Sequence, residues 1–180
     1  MPAAEIDYPV LVMPETVERT TVKIWSNGVA LDADLYRPKG LAEEQRLPAV
    51  VLSHGWGGSK STGERYAAKF AAAGMVCLCF SYSGWSSSGS HVVLTGDPPD
   101  VDECNEGIAA VRVIREVVDP VEWLQNFRSA VGGRACEILK LAAAAPVDYR
   151  IIDGIDHYGI YFDGYDESSD AALAWFTRHL

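Results

Sequence analysis

Residues 48–58, with the sequence PAVVLSHGWGG, constrain the fold more than any other stretch of the chain. The run 49–52 is short, apolar and rich in β-branched side chains, which indicates a buried strand rather than a helix. The HGWGG turn that follows is rich in glycine, so its backbone N–H groups can face a ligand. Ser61 and Glu64 then have the spacing of a capping box, ahead of an apolar helix face. The stretch therefore predicts a strand, a glycine-rich loop and a helix.

Further strands are predicted on both sides of this unit. Upstream, residues 19–25 and 29–36 alternate apolar and polar side chains around Asn27-Gly28, which is typical of a hairpin with one face toward water. Downstream, residues 75–82 form a second short apolar run. The order strand, helix, strand implies a right-handed parallel crossover. The predicted water-facing residues of the hairpin's second strand are Asp32, Asp34 and Tyr36.

The second half of the chain alternates helix and strand signals less clearly. A long loop is predicted at 83–101, and residues 111–118 suit a strand or a helix equally well. Ser168 is the expected cap of a last helix. The predicted sheet order places the strand from residue 75 between those from 29 and 49. The remaining predicted elements are helices from Asp119 and over 135–145, a strand at 147–152 beside the 49–52 strand, and a loop at 153–163.

Composition limits the class of protein and its partners. The chain has 180 residues, of which 48% are hydrophobic and 22% charged, as in a globular domain with a real core. Its net charge of −10 argues against nucleic acid or an anionic membrane as the main partner. The four cysteines lack disulfide or zinc spacing, so Cys77 and Cys79 are predicted to be small buried hydrophobes. Without a leader or membrane-length apolar stretch, a cytoplasmic location is expected.

Three motifs stand at the expected ends of strands: HGWGG from His54, FSYSGWSSSG from Phe80, and GIDHYGIYF from Gly154. They resemble, in this order, the oxyanion loop, the loop after the fourth strand and the catalytic-histidine loop of α/β-hydrolases of the dienelactone-hydrolase and acetyl-xylan-esterase-like kind. The resemblance covers about residues 19–131 and 134–180. It implies an α/β-hydrolase fold, with a mostly parallel sheet, an N-terminal antiparallel hairpin and flanking helices. It also implies a serine ester or acyl hydrolase.

One motif of such hydrolases is missing. They carry a G-x-S-x-G nucleophile elbow, yet no serine of this chain has glycine two residues away on both sides. The strand that would carry the triad acid is missing as well, because Gly132-Gly133 lead directly into a predicted helix. These gaps indicate an internal deletion near residues 131–134 of a single domain spanning 1–180. The prediction is a truncated α/β-hydrolase fold, inactive by the triad route.

The resemblance gives roles to five residues. It implies that His157 is the catalytic base, that Gly55 and Trp56 belong to the oxyanion hole, and that Trp85 and Tyr158 line an acyl pocket. The alternative for His157 is a loop histidine that hydrogen-bonds locally, and the alternative for the two aromatic residues is ordinary packing. Each role also depends on a nucleophile that the sequence does not reveal.

The other histidines do not indicate a metal site. No pair of histidines has the spacing of metal ligands, so neither a metal nor a cofactor is predicted. His54 is expected to be structural, placed beside the loop and fixing it by hydrogen bonds. His91 and His179 are expected to be solvated surface groups.

Two functions remain open. The first is an ester or acyl hydrolase for a small neutral or cationic acyl substrate, and the second is a non-catalytic remnant that serves as a binding or interaction module. No nucleic-acid or membrane partner is expected. A shortened sheet would leave Phe127, Trp175 and Phe176 partly exposed, which predicts a dimer or a soluble aggregate.

Overall fold

The computed structural model describes residues 8–26, 28–42, 45–55, 58–89, 148, 150–156 and 158–180. The contacts divide the chain into two units, Leu11–Phe127 and Met1–Val10 with Arg128–Leu180; we call the second the terminal unit. The predicted single domain over 1–180 stays a prediction, and the proposed deletion point at 131–134 lies outside the described residues. The strands are β1 Val17–Ser26, β2 Val29–Pro38, β3 Ala49–Leu52 and β4 Val76–Phe80; the helices are α1 Glu64–Ala72 and α2 Tyr165–His179, with 3-10 turns at Lys60–Gly63 and Gly159–Tyr161.

The sheet follows the order β1-β2-β4-β3, which confirms the predicted placement of β4 between β2 and β3. β1 and β2 form the expected hairpin, with Ser26 opposite Val29 and Gly28 at a φ of 80°. Glycine adopts that left-handed conformation without the steric cost that a side chain would add. β3 has the predicted bounds and pairs in parallel with β4, so the strand–loop–helix–strand prediction is confirmed in this unit.

The predicted predominance of parallel strands is not confirmed. In the described part of the chain, β1–β2 and β2–β4 are antiparallel and only β3–β4 is parallel. One antiparallel pairing lies within the β1–β2 hairpin, and the other joins β2 to β4. A single crossover, through α1, lies within the described residues. The architecture is therefore an α/β fold built on a mixed sheet.

The predicted strand at 147–152 is wrong for the residues that the structure describes. Asp148 and residues 150–152 lie outside any strand, and the expected pairing with β3 is lost with it. Ile151, within the predicted strand, is 69% exposed. Arg150 turns back to pair with Asp148 at 2.9 Å.

One face of the sheet forms the apolar core of the Leu11–Phe127 unit. Every second side chain of a strand points to this face, and apolar residues lie opposite one another on paired strands. Ile24 lies opposite Leu31, and Ala33 lies opposite Phe80. The buried members of this core are Ile24, Val29, Leu31, Ala33, Leu35, Val76, Leu78, Phe80 and Tyr82. The periodicity of two in the sequence thus predicted this face correctly.

The opposite face of β2 is buried as well, which corrects the prediction of a water-facing side. Asp32 and Asp34 are each 6% exposed and Tyr36 is 1% exposed. Helix α1 packs against β2 and β4, and Lys60 provides the positive charge that the two carboxylates need. The alternation of polar and apolar residues in β2 therefore indicates a buried face with ion pairs here, not a solvent-exposed face.

The start of the helix after β3 differs from the prediction. Ser59, not Ser61, is the cap, and it belongs to the 3-10 turn that precedes α1. The Ser61 N–H donates to Ser59 Oγ at 3.3 Å, and the Ser59 N–H donates to Thr62 Oγ1 at 3.2 Å. The extra turn moves the cap two residues upstream. Gly63 lets the turn approach β3 and β4 closely, because an added Cβ would lie 3.3 Å from Leu52 Cβ.

Both cysteines of β4 are free and buried, as predicted. Burial raises the pKa of the Cys77 thiol and of the Cys79 thiol, because a thiolate would lose its hydration. The predicted roles of Cys104 and Cys136 concern residues outside the described ranges.

This burial predicts protection of Cys77 and Cys79 from alkylation. Iodoacetamide at pH 8 should label both positions at least about 10²-fold more slowly in the native protein than in denaturant, because each must wait for the sheet to open. Peptide mass spectrometry assigns the labelled sites. The same protein in urea is the control, and native labelling of either position at the denatured rate would contradict the burial.

The terminal unit contains α2, which begins at Tyr165 after Gly164. Ser168 is therefore not its cap, and its hydroxyl donates within the helix to the Tyr165 carbonyl at 3.1 Å. Trp175 and Phe176 are half-buried, while the predicted dimer or aggregate stays a prediction. Within the described ranges, no helix has the length and apolar character needed to cross a membrane.

Candidate functional site

Two loops meet at one edge of the sheet in the Leu11–Phe127 unit. β3 and β4 are parallel, so both end at the edge where open α/β sheets bind ligands. The imidazole of His54, two residues after β3, lies edge-on to the ring of Tyr82 at 4.7 Å between centroids and to Trp85 at 6.0 Å. The structure therefore brings the motif after β3 together with the motif after β4.

His54 fixes this corner with both ring nitrogens. The Tyr82 backbone N–H donates to Nε2 at 3.2 Å, and Nδ1 lies 2.8 Å from the Gly55 carbonyl oxygen. Because the Tyr82 N–H can only donate, Nε2 must accept, and Nδ1 carries the hydrogen that it gives to Gly55. His54 is 6% exposed. The prediction that His54 holds the loop by hydrogen bonding is confirmed.

The Gly55 carbonyl receives two donors. Besides Nδ1 of His54, the Gly58 N–H donates to it at 3.1 Å, which closes the turn. Gly58 has no room for a side chain, because an added Cβ would lie 2.8 Å from His54 Cβ and 2.9 Å from Thr62 Oγ1. Trp56 and Gly57 lie outside the described residues, so Gly55 is the described member of the predicted oxyanion pair.

The loop that carries Trp85 is hydrogen-bonded to β2 through Ser88 and Gly89. Ser88 Oγ accepts the Asp32 N–H at 2.8 Å and donates to the Ser81 carbonyl at 2.7 Å. The Gly89 N–H donates to the Ala30 carbonyl at 2.8 Å. The described part of the loop is thus attached to β2 shortly after Trp85, which is half-buried. The serine-rich sequence gave no local signal for this attachment.

Ser86 has a backbone conformation that is uncommon for a residue with a side chain. Its φ is 50°, in the left-handed region that favours glycine. The residue is exposed at the tip of the loop. The loop therefore keeps a strained position close to Trp85.

A buried ion-pair cluster lies on the other side of the turn after β3. Lys60 Nζ lies 2.9 Å from Asp32 Oδ2 and 3.0 Å from Asp34 Oδ1, and Lys23 Nζ lies 3.2 Å from Asp32 Oδ1. The Lys60 N–H also donates to Ser81 Oγ at 2.9 Å. Lys60 thus joins the turn to both β2 and the end of β4, a role that sequence reasoning missed.

Asp32 and Lys60 each keep their charge because oppositely charged partners offset the effect of burial on their pKa values. Burial acts to raise the pKa of Asp32, but hydrogen bonds from Lys60 and Lys23 outweigh it and lower that pKa. Burial acts to lower the pKa of Lys60, but the carboxylates of Asp32 and Asp34 outweigh it and raise that pKa. Asp32 and Lys60 are therefore charged near neutral pH, and Lys60 is engaged by the protein itself rather than offered to a ligand.

The remaining predicted site residues belong to the terminal unit. Tyr158 is 40% exposed, and its N–H donates to Asp156 Oδ1 at 2.9 Å. Gly159 packs directly on Ile155, where an added Cβ would lie 2.4 Å from Ile155 Cβ, so the motif's second glycine is required for packing. His157, the predicted base, lies outside the described residues.

The described residues do not offer a metal centre. Across ranges 8–26, 28–42, 45–55, 58–89 and the described part of 148–180, no group of three or more His, Cys, Asp or Glu side chains is arranged to hold a metal ion. The carboxylates that do cluster, Asp32 and Asp34, are paired with lysines.

No protein-family model and no curated protein matches this sequence, but solved structures do. A hypothetical protein from Pseudomonas aeruginosa is 28% identical, with a TM-score of 0.51; the match covers 64% of this chain and 38% of that one. An esterase from Pyrobaculum calidifontis is 22% identical over 57% of this chain and 32% of its own, with a TM-score of 0.41. Epoxide hydrolase A from Mycobacterium thermoresistibile is 16% identical over 57% and 29%, with a TM-score of 0.40. The chain spans well under half the length of each of these structures.

Proposed function

We propose that this chain is a hydrolase-type protein of the α/β-hydrolase fold. Its nearest functional class is the serine ester or acyl hydrolases of the dienelactone-hydrolase and acetyl-xylan-esterase-like kind. The proposed ligand is a small acyl compound or ester, bound at the edge where β3 and β4 end. Within these 180 residues the acyl-serine route is incomplete, because the sequence lacks a nucleophile elbow.

One observation carries the proposal, namely the double hydrogen bond to the Gly55 carbonyl. His54 Nδ1 and the Gly58 N–H both hold that oxygen on the inner side of the turn. By the resemblance to the oxyanion loop of α/β-hydrolases, the proposed donor is the backbone N–H of the residue after Gly55. A preorganised backbone donor of this kind stabilises an oxyanion in acyl transfer.

The other roles follow from this placement as part of the proposal. Trp85 would form an apolar wall for the acyl group beside the oxyanion donor, as its contact with the His54 ring supports. By the same resemblance, His157 is the proposed general base and Tyr158 is a proposed acyl-pocket residue. Both belong to the terminal unit.

A non-catalytic binding module is the second candidate. The specific observation in its favour is the missing G-x-S-x-G motif, because a hydroxyl without an activating base and an elbow is a poor nucleophile. In that case the Gly55 turn would bind a carbonyl or carboxylate oxygen without turnover. Both candidates share the ligand chemistry, so turnover separates them.

We therefore expect no acyl-serine turnover by this chain. Loss of a triad member leaves a serine hydrolase with only about 10³–10⁴-fold acceleration over water, and here the elbow that holds the nucleophile is absent. The measurement combines a fluorophosphonate probe with a chromogenic acetate ester. No serine should be labelled stoichiometrically, and ester release should be the same in the wild type and in His157→Ala.

The opposite result would identify a nucleophile that the sequence conceals. Stoichiometric labelling of one serine, with turnover abolished by His157→Ala, would establish the catalytic reading over the binding module. Ser86 and Ser87 are the first positions to examine, because both are exposed beside Trp85. Ser59 is less suited, since its hydroxyl already caps the 3-10 turn.

A further inference from the structure

We propose that β1 is an interaction edge that pairs, in the antiparallel sense, with β1 of a second copy of this chain. The register of this pairing places Val22 opposite its own counterpart, so that one sheet runs through both copies of a homodimer. The inference goes beyond the proposed function, because it concerns an interface and needs no ester turnover. It starts from the backbone groups that β1 directs away from β2.

The direction of these backbone groups follows from Asp32 on the neighbouring strand. The Asp32 N–H donates to Ser88 Oγ at 2.8 Å, and the Asp32 carbonyl accepts the Ser81 N–H at 2.9 Å, so both groups face away from β1. Lys23 lies opposite Asp32, and the two residues of such an antiparallel pair both direct their backbone groups outward. Backbone direction alternates along a strand. The residues of β1 that present N–H and C=O at its outer edge are therefore Arg19, Thr21, Lys23 and Trp25.

The side chains along this edge are exposed. Trp25 is 69% exposed, and the side chains of Arg19 and Lys23 are about half exposed although each pairs with a carboxylate. Among the described residues, β2 is the only strand that pairs with β1. β1 extends over ten residues, and an exposed edge strand of this length is a template for another strand.

Symmetry restricts how β1 can pair with itself. A two-fold axis perpendicular to the sheet keeps each face continuous, so residues that share a face of β1 also lie opposite one another across the axis. Registers centred on Thr21 or on Val22 use the most residues of the strand. The register centred on Thr21 places Arg19 opposite Lys23 of the second copy, twice, and like charges directly opposite one another are destabilising. The side chains therefore disfavour this register.

The register centred on Val22 pairs compatible side chains. Arg19 then lies opposite Trp25 of the second copy, and symmetry forms this pair twice. A guanidinium gains a cation–π interaction over the face of an indole. This register also leaves out Val17, whose N–H already donates to the Pro14 carbonyl at 3.0 Å. A second copy is the occupant that the side chains favour, because the same strand supplies both the cation and the aromatic ring.

The first test measures the mass of the full chain in solution by sedimentation velocity. The wild type should show a concentration-dependent dimer, because pairing along one strand buries less surface than a permanent interface. Trp25→Ala should weaken the dimer by about tenfold, since two cation–π pairs are lost. Ile151→Ala is the matched control, because Ile151 is also 69% exposed but belongs to the terminal unit. Its dimer should have the wild-type dissociation constant.

The second test determines the register with Val22→Cys. In the proposed register the two copies of this position form a non-hydrogen-bonded pair, with Cα atoms about 4.5 Å apart, which a disulfide can span. Oxidation should therefore join two chains through position 22, as peptide mass spectrometry can identify. Thr20→Cys is the matched control, because Thr20 is exposed on the same face of β1. Its two copies are offset by four residues and lie more than about 12 Å apart, so this variant should not be joined.

Three results would overturn the proposal. A wild-type chain that stays monomeric at every concentration would do so whether or not the cysteine variants fold, and would leave the edge to a strand of another protein. A dimer that is joined through Thr20→Cys but not through Val22→Cys would have a different register. A dimer with the same dissociation constant in Trp25→Ala and in the wild type would use another surface of the molecule.

Discussion

Replacing Lys60 by methionine should destabilise the protein by roughly 3 kcal/mol at pH 7, because the change leaves two buried carboxylates without their shared cation. Asp32 and Asp34 are each 6% exposed, and Lys60 Nζ lies within 3.0 Å of both. Among the described cations, Asp32 would retain Lys23. Urea unfolding with an unchanged slope measures the loss as a shift of the midpoint.

Lys23→Met is the matched control, since it removes the other cation from Asp32. Its side chain is 50% exposed, and an exposed pair is worth less than about 1 kcal/mol. Equal losses for the two variants would show that burial of Lys60 does not matter. A loss below about 1 kcal/mol for Lys60→Met would contradict the buried cluster itself.

The cost of Lys60→Met should depend on pH with a defined sign. The folded pKa of Asp32 is lowered, so its contribution is complete above the unfolded value near 3.8 and is lost as the pH falls through the folded value. The folded pKa of Lys60 is raised, so its contribution is complete below its ordinary value near 10.5 and is lost as the pH rises through the folded value. The difference between wild type and variant should therefore be largest between pH about 5 and 9 and should shrink toward pH 3.

Gly58→Ala should destabilise the turn after β3 by about 1–3 kcal/mol, the usual cost of inserting a methyl group into a filled space. Its Cβ would lie 2.8 Å from His54 Cβ and 2.9 Å from Thr62 Oγ1, and relief would disturb either the imidazole anchor or the 3-10 turn. Gly55→Ala is the matched control, because no atom of the described residues lies within 4 Å of its added Cβ. Its effect should stay within about 0.5 kcal/mol.

Thermal or urea unfolding of both glycine variants checks this contrast. Similar stability for Gly58→Ala and the wild type would mean that the turn has more room than its geometry gives. A large loss of stability for Gly55→Ala would mean that steric crowding of the added Cβ does not explain which glycine of this turn can be replaced.

Local patterns in the sequence predicted the frame of the Leu11–Phe127 unit. The hairpin, β3 and β4 follow from alternation and from Asn27-Gly28, which act over a few residues. Their order in the sheet follows from the rules for connections between neighbouring strands. The sequence also predicted that the loops after β3 and β4 lie at the same edge, because parallel strands end at one edge of a sheet. The structure places His54 beside Trp85 at that edge.

Contacts between distant residues could not be predicted in the same way. Asp32 and Asp34 alternate with apolar residues as they would on a solvent-exposed face, but ion pairs with Lys60, 26 residues after Asp34, compensate for their burial. The spacing of Ser61 and Glu64 predicts the wrong cap, because Ser59 and Ser61 both precede the helix. Ser59 is the cap because a 3-10 turn precedes the helix, and such a turn has no distinct periodicity in the sequence.

The fastening of the Trp85 loop has a consequence for the entropy of recognition. Ser88 and Gly89 tie the loop to β2 by hydrogen bonds of 2.8 Å, so its conformational freedom is reduced when the chain folds. A molecule that contacts Trp85 meets a surface that is already ordered, and the cost of ordering does not reduce its affinity. Association at this loop should therefore resemble the docking of rigid bodies, with little change in backbone conformation between the free and occupied states.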